Sequence, residues 1–427
     1  MFFKFGDADF RTTSERDGNA GFDAGGKLRQ CRRRDFLAQF ERFFYGNAGE
    51  EFQTRHRGLH SAFDQLAAGA QTFLGQSISF FNPNPKSPRN QRWQVGLQRE
   101  LPGRWVADIA YVGNHGTDLQ TSRNLNALPN AFLSTSETRD QANDNFLSAD
   151  VPNPFFGLMP ATAGTAFRGR TIDRHRLLRP YPHFDAVNTT TSEGWSWYHS
   201  LQTGLQKRFS RGYTFGLNYT FSRFTEAIEF LNAADPEPWE GISSQDAPHR
   251  LSISGIWELP FGRDRRFGAG ASPFANAVIG GWQVQGIYTF QSGFPIGNFP
   301  DVFFTGSLDD IAVDNPTLER WFNTDAGFNR VSAQQPVSHL RTFPLRIASV
   351  RRDLTNNVDL SLLKNTSLSH GKSLQFRFEA INAFNHPQFP APGGNSLNPT
   401  NNSFGRIVSS TQLNYARRVQ VQLKFLF

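Results

Sequence analysis

The sequence predicts an all-β protein: an antiparallel transmembrane β-barrel, present in part, with about nine long strands, short turns at one end and long loops at the other. Three observations carry this. Apolar and polar residues alternate strictly, the period of a sheet with one apolar and one polar face. The alternating runs last about 10–14 residues, against ~5–6 for globular strands and ~9–11 for a tilted bilayer crossing. Short and long connections alternate along the chain, as in outer-membrane barrels.

In order, the strands fall at about 91–101, 104–115, 197–209, 213–224, 249–259, 281–292, 356–368, 372–385 and 414–427. In the first, Trp93, Val95 and Leu97 alternate with Gln94, Gly96 and Gln98; Pro102-Gly103 then turns the chain into the second. Ser210-Arg211-Gly212 joins the third strand to the fourth, where Tyr213, Phe215, Leu217, Tyr219 and Phe221 alternate with Thr214, Gly216, Asn218 and Thr220. The 260–280 connection after the fifth strand is longer than the pattern expects. Trp282, Val284, Gly286, Tyr288 and Phe290 mark the sixth strand, and Ser369-His370-Gly371 joins the next two. Val419, Val421, Leu423, Phe425 and Phe427 alternate to the end. The long connections are 116–196, 225–248, 293–355 and 386–413.

Charges sort by height. On the apolar faces, Arg99, Lys207 and Lys364 fall near short turns, and Arg223 and Arg417 near long loops. None lies at a strand centre, where a charge costs roughly 2–4 kcal/mol; near the interface long basic side chains snorkel. Trp93, Trp105, Trp197, Tyr213 and Trp282 at strand ends suit interfacial girdles.

Composition sets outer bounds. The 427 residues hold 44 Lys+Arg and 37 Asp+Glu, and 38% are hydrophobic. The mean hydropathy of −0.48 resembles that of a soluble protein. No run approaches the ~18–20 apolar residues of a membrane helix, which excludes a helical membrane protein and leaves a barrel open, since half of each strand faces a polar lumen. The single Cys31 excludes an internal disulfide framework. The start, Met1-Phe-Phe-Lys-Phe-Gly-Asp, lacks the basic and apolar regions of a secretory signal. Residues 1–72, rich in Arg and Phe, form an unassigned leader with a short helix across 36–44; residues 73–427 form the barrel portion.

Several segments resemble one family. Leu178-Arg-Pro-Tyr-Pro-His-Phe184, Trp197-Tyr-His-Ser-Leu-Gln202, Gln206-Lys-Arg-Phe-Ser-Arg-Gly212 and Asn218-Tyr-Thr-Phe-Ser222 are similar to the Oar-like β-barrel of TonB-dependent outer-membrane receptors. So are Asp246-Ala-Pro-His-Arg-Leu251, Glu258-Leu-Pro-Phe-Gly262, Gly281-Trp-Gln283, Phe290-Gln-Ser-Gly293, Arg377-Phe-Glu-Ala-Ile-Asn-Ala-Phe-Asn385 and Ala110-Tyr-Val-Gly-Asn114. The resemblance covers about 75–427, and the long 260–280 connection belongs to it. It implies residence in the outer membrane, contact with its lipid and lipopolysaccharide, and TonB-dependent binding and uptake of a ligand. It also implies that the barrel-assembly machinery reads the terminal aromatic Phe427. Family members carry a signal peptide, a plug and a TonB-contacting segment that this sequence does not show. With nine strands, an odd number, the chain is expected to be the C-terminal part of such a receptor, unable to drive energised uptake alone, behind a foreign or frameshifted leader.

No chemistry-bearing constellation competes with this reading. His56 and His60 have helical metal-ligand spacing without the Glu of HExxH. Asp17–Asp23 begins like a calcium loop, but Phe22 and Leu28 occupy the positions requiring Gly and Glu. Neither a Walker loop nor a GxSxG elbow occurs, and Gly268-Ala-Gly270 is only a fragment of a dinucleotide fingerprint. No enzyme activity, cofactor or metal is therefore expected. The Arg residues are scattered among turns and loops, so no nucleic-acid partner is expected. Arg168, Arg170, Arg174, Arg176 and Arg179, with His175 and His183, form a candidate loop for an anionic ligand or lipopolysaccharide phosphates; Asp309, Asp310 and Asp314 would balance that charge or hold a cation weakly. Gln94, Asp108, Gln202, Gln206, Asn218, Gln283, Gln285, Arg377 and Glu379 would line a wet lumen. Two other readings stay open: a soluble secreted adhesin or carbohydrate-binding domain, whose apolar faces a second layer would bury, and an outer-membrane hydrolase.

Overall fold

The computed structural model describes residues 73–427 apart from 264, 369 and 370. The leader, with Cys31, His56, His60, the 17–28 segment and the short helix across 36–44, lies outside the described residues, as does the centre of the Ser369-His370 turn.

Among the described residues nine long strands form, each overlapping the run that alternation marks: β1 (Arg89–Leu101), β2 (Trp105–Asn124), β3 (Val187–Ser210), β4 (Tyr213–Glu229), β5 (His249–Glu258), β6 (Trp282–Gln291), β7 (Thr355–Ser367), β8 (Ser373–Ile381), which stops four residues short of the expected 385, and β9 (Arg418–Leu426). They pair in sequence order, each antiparallel to the next. The turns fit their sequences. Arg211 and Gly212 both take positive φ (53° and 82°), the geometry a two-residue hairpin between right-twisted strands requires.

Register turns nine separate alternations into one surface. Directly opposed residues share a face. The pairs Val95–Tyr111, Tyr111–Leu201, Leu201–Phe221 and Leu217–Ile253 carry the apolar face from β1 to β5. Ile253–Tyr288, Val284–Leu362, Leu362–Phe378 and Phe378–Val421 carry it on to β9. Among the described residues no second layer covers this face, and Val95, Val421 and Leu423 remain about two-thirds exposed. A soluble sandwich would bury them; hydrocarbon covers them in a bilayer.

Two of the three basic exceptions at the short-turn end, Lys207 and Lys364, are held in place. The Lys207 ammonium donates to the Ser210 carbonyl at 3.1 Å and lies 3.9 Å from the centre of the Tyr213 ring. Lys364 donates to the Gly280 carbonyl at 2.5 Å and faces Trp282. At the other end the Trp93 ring lies over Gly113, where a Cβ would sit 2.2 Å from ring carbon, so only glycine admits that interfacial tryptophan.

Two features depart from expectation. β2 and β3 have 20 and 24 residues, about 65–80 Å at ~3.3 Å per residue, and rise far beyond a ~30 Å hydrocarbon layer. Register shifts between Gly116, Leu119 and Thr121 end the lipid-facing alternation, and the pairing continues through Ser122–Thr190 and Arg123–Thr189. β9 begins at Arg418, so Arg417 lies just outside it.

Among the described residues the sheet does not close: β1 and β9 each have one neighbour there, and every residue of both is exposed. Both run from the long-loop end to the short-turn end, so they cannot pair antiparallel with each other.

The lipid-facing register predicts an asymmetric response to charge. Leu217→Lys should destabilise the membrane-inserted form by about 2–4 kcal/mol, read as a lower urea midpoint for loss of gel-shifted folded species. Asn218→Lys, one residue along on the polar face, should leave the midpoint nearly unchanged.

Candidate functional site

The buried core of the protein lies above the sheet. The connections 293–354 and 386–417 fold on each other around Ile296, Phe299, Phe322, Phe328, Phe343 and Phe404, with Leu397 and Ile407 closing the base. Edge-to-face ring pairs recur at 5.1–5.8 Å (Phe328–Phe404, Phe322–Phe404, Phe328–Phe343), a geometry worth about 0.5–1.5 kcal/mol per pair beyond area burial. These segments form a packed cap at the strand mouths.

Two arginine clasps fasten the cap to the strands. Asp246, only 1% exposed, accepts from Arg351 at 2.7 Å and from the Phe224 backbone N–H at 2.7 Å. Arg351 also donates to the Gly293 carbonyl at 3.1 Å. Arg346 lies between Glu226 and Glu229 and donates to the Ile242 carbonyl at 2.8 Å. Asn382 builds a third joint with φ of 50°: its N–H meets Asp359 and its side chain donates to the His386 and Tyr415 carbonyls. The Asp246-Ala-Pro-His and Ile381-Asn-Ala-Phe-Asn segments thus hold the loops to the barrel rim.

The connection 125–186 forms its own small unit, tied to the cap through Ser134, which exchanges backbone hydrogen bonds with Ser338 and Leu340. His339 Nε2 donates to the Ser136 carbonyl at 3.0 Å, and Nδ1 faces the Asp301 carboxylate at 3.5 Å. Burial raises the Asp301 pKa above the usual carboxylate range, with His339 and Arg341 only partly offsetting it.

The candidate arginines separate into two sets. Arg174 donates to the Phe146 carbonyl at 2.9 Å, Arg176 pairs with Asp185 at 3.0 Å, and Arg179 donates to the Asp185 carbonyl at 2.8 Å. Burial lowers the Arg179 pKa, as does the neighbouring Arg176 charge. Burial also lowers that of His175, Arg179 adding to the effect. These three arginines hold the 125–186 unit together. Arg168 and Arg170 remain exposed, form no ion pair among the described residues, and are the members able to meet an anion. Asp310 and Asp314 also lie apart: the Asp310 carbonyl accepts from Asn323, and Asp314 lines an open hollow of about 380 Å³ with Arg320. Among the described residues no group of three metal-ligating side chains converges.

The lumen candidates share one face. Register places Gln98 beside Asp108, Gln206 beside Gly216, and Asn218 beside Ser252. Gln94 pairs with Val112 and Gln202 with Thr220. Across β6 to β9, Gln285 faces Ser361, Arg377 faces Gln422, and Glu379 faces Gln420. Gln283 accepts from Gln285 at 3.2 Å, and Arg377 lies 3.5 Å from Glu379, which also accepts from Gln420. The face is polar from β1 to β9, and toward β9 its amides and charges bond to one another. Phe427 is exposed and stacks on Phe425 at 6.0 Å, continuing the lipid-facing side past the end of β9.

Residues 33–420 match the family described as the outer membrane beta barrel domain. The chain belongs to that family. It is located in the outer membrane, with short turns at the periplasmic end and the cap outside. The match begins inside the 1–72 leader. Among curated proteins, none matches the chain. Similar solved structures include the outer membrane transporter YddB from Escherichia coli, at 10% identity and a TM-score of 0.33, covering 74% of this chain and 31% of YddB. The FrpB iron transporter from Neisseria meningitidis (F3-3 variant) is similar at 11% identity and a TM-score of 0.35, covering 81% of this chain and 32% of FrpB. The chain thus spans about a third of either transporter's length.

Two consequences can be measured. Asp246→Ala leaves the Arg351 guanidinium without its carboxylate, and breaking such a buried pair costs about 3–5 kcal/mol; limited proteolysis should then cut within 293–354 while strand fragments stay protected. A carboxylate whose folded pKa is raised adds stability below its unfolded pKa, and that stability is lost as pH rises through the folded value. Acidification toward that range should therefore slow proteolysis of the cap, and Asp301→Asn should abolish the change.

Proposed function

We propose that this outer-membrane barrel portion belongs to a receptor of the TonB-dependent, Oar-like kind, in which the cap binds a ligand and the polar strand face lines its route inward. The observation that supports this most is a cap with its own aromatic core, clasped to the rim of a sheet with one lipid-compatible and one hydrogen-bonding face. A passive pore needs no such cap. Arg168 and Arg170 are the candidate contacts for an anionic ligand or lipopolysaccharide phosphate, through the forked geometry that suits oxyanions.

In this reading the protein is a binding and transport protein rather than an enzyme. TonB reaches the barrel only through a plug, the assembly machinery engages Phe427, and nucleic acid is not a partner. The chain alone binds without energised uptake.

Expression of the full chain with an outer-membrane export signal tests this. We expect heat-modifiable migration in the outer-membrane fraction and no TonB-dependent gain of growth on any scarce nutrient. A fully soluble monomer, or TonB-dependent growth conferred by this chain alone, would contradict the reading.

A further inference from the structure

The connection between β5 and β6 lies at the periplasmic end, where two to five residues suffice for the other turns. Its 259–281 segment instead folds into a compact element. A two-turn helix, Pro273–Ile279, is capped by the Ser272 side chain. The Arg263 backbone N–H donates to Asn276 Oδ1 at 2.6 Å, and that of Gly262 to the Phe267 carbonyl at 2.8 Å. Such an element would ordinarily turn its apolar residues inward. Here Phe274 is 81% exposed, and Phe261, Phe267 and Val278 are each about half exposed.

The lipid-facing band fixes the height of this element. Trp282 Nε1 donates to the Val278 carbonyl at 3.0 Å, and Lys364 Nζ to the Gly280 carbonyl. Both side chains belong to the outward face, so the helix end sits where the hydrocarbon band gives way to headgroups. Charge points the same way. In residues 99–104, 207–213, 258–282 and 364–372, with Lys424, basic residues outnumber acidic ones eleven to three. Within the element itself, Arg263, Arg265 and Arg266 stand among the exposed phenylalanines, and only Arg265 has a carboxylate partner, Glu258 at 3.0 Å, among the described residues.

We propose that residues 259–281 form an interfacial foot, with Phe274 and Val278 entering the periplasmic leaflet and the three arginines meeting the phosphates of anionic phospholipid headgroups. Exposed aromatic and aliphatic side chains beside arginine are the chemistry of a surface-lying membrane element, and each arginine near an anionic surface is worth about fivefold in partitioning. The foot would anchor one side of the barrel vertically, beneath β5 and β6. The proposal rests on the barrel reading, since it takes its height from the outward band.

The test uses the full chain with Cys31→Ser and one fluorophore-labelled cysteine, at Phe274→Cys, Val421→Cys or Leu413→Cys. It is reconstituted into phosphatidylethanolamine vesicles with and without phosphatidylglycerol, carrying quenchers at the headgroup or deep in the acyl chain. The label at 274 should be quenched from the headgroup, more strongly with phosphatidylglycerol. That at 421 should be quenched from the acyl region, and that at 413, in the cap, by neither. Arg263→Gln, Arg265→Gln and Arg266→Gln together should remove the phosphatidylglycerol dependence at 274 and leave 421 unchanged. A label at 274 that neither quencher reaches while 421 is quenched would overturn the foot. Quenching at 274 indifferent to phosphatidylglycerol would overturn its anionic specificity. Loss of quenching at 421 as well would overturn the barrel reading beneath it.

Discussion

An unpaired backbone amide in hydrocarbon costs several kcal/mol, and this constraint organises the whole molecule. A membrane-crossing strand must bond its backbone to neighbours on both sides while showing lipid a row of apolar side chains. Pairing fixes register, and register decides which side chains share a face: a slip of one residue between β4 and β5 would turn Leu217 and Ile253 to opposite sides. The same constraint bears on the outer edges of β1 and β9, each of which has one sheet neighbour among the described residues. Both strands run the same way, so these two edges could meet each other only as parallel partners.

Above the membrane the constraint is lifted and the physics changes. β2 and β3 leave the bilayer at the register shifts around Leu119, after which Thr and Ser replace lipid-facing apolar residues and the top of β3 pairs in parallel with the short strand Ile78–Phe80. The cap then follows globular rules, with aromatic burial at its centre and buried ion pairs at its seams. Asp246–Arg351 and Arg346 with Glu226 and Glu229 lie where the two regimes meet. They join the rigid wall to the loops that would meet a ligand.

The barrel was legible in the sequence because its signal is local: Tyr213 to Phe221 reads as a strand without knowledge of any neighbour. The cap was not, because Phe299, Phe322, Phe343 and Phe404 come together from separate loops with no period linking them. The arginine loop was half legible. Its charges stand out in 168–179, but the groups that occupy Arg174, Arg176 and Arg179 are the Phe146 carbonyl and Asp185, which only folding brings near. The Asp246-Ala-Pro-His segment was legible as a resemblance, and its role as a clasp required the position of Arg351, more than a hundred residues away.

The central claim is that odd-numbered positions of β4 face lipid and even-numbered ones face water. Spin labels placed singly from 213 to 225, in a Cys31→Ser background in membranes, test it most directly through collision with oxygen and with a water-soluble nickel complex. Oxygen accessibility should peak at 215, 217, 219 and 221 and nickel accessibility at 216, 218 and 220, in strict alternation. Equal nickel accessibility at both sets would mean that water bathes both faces, and would contradict the account.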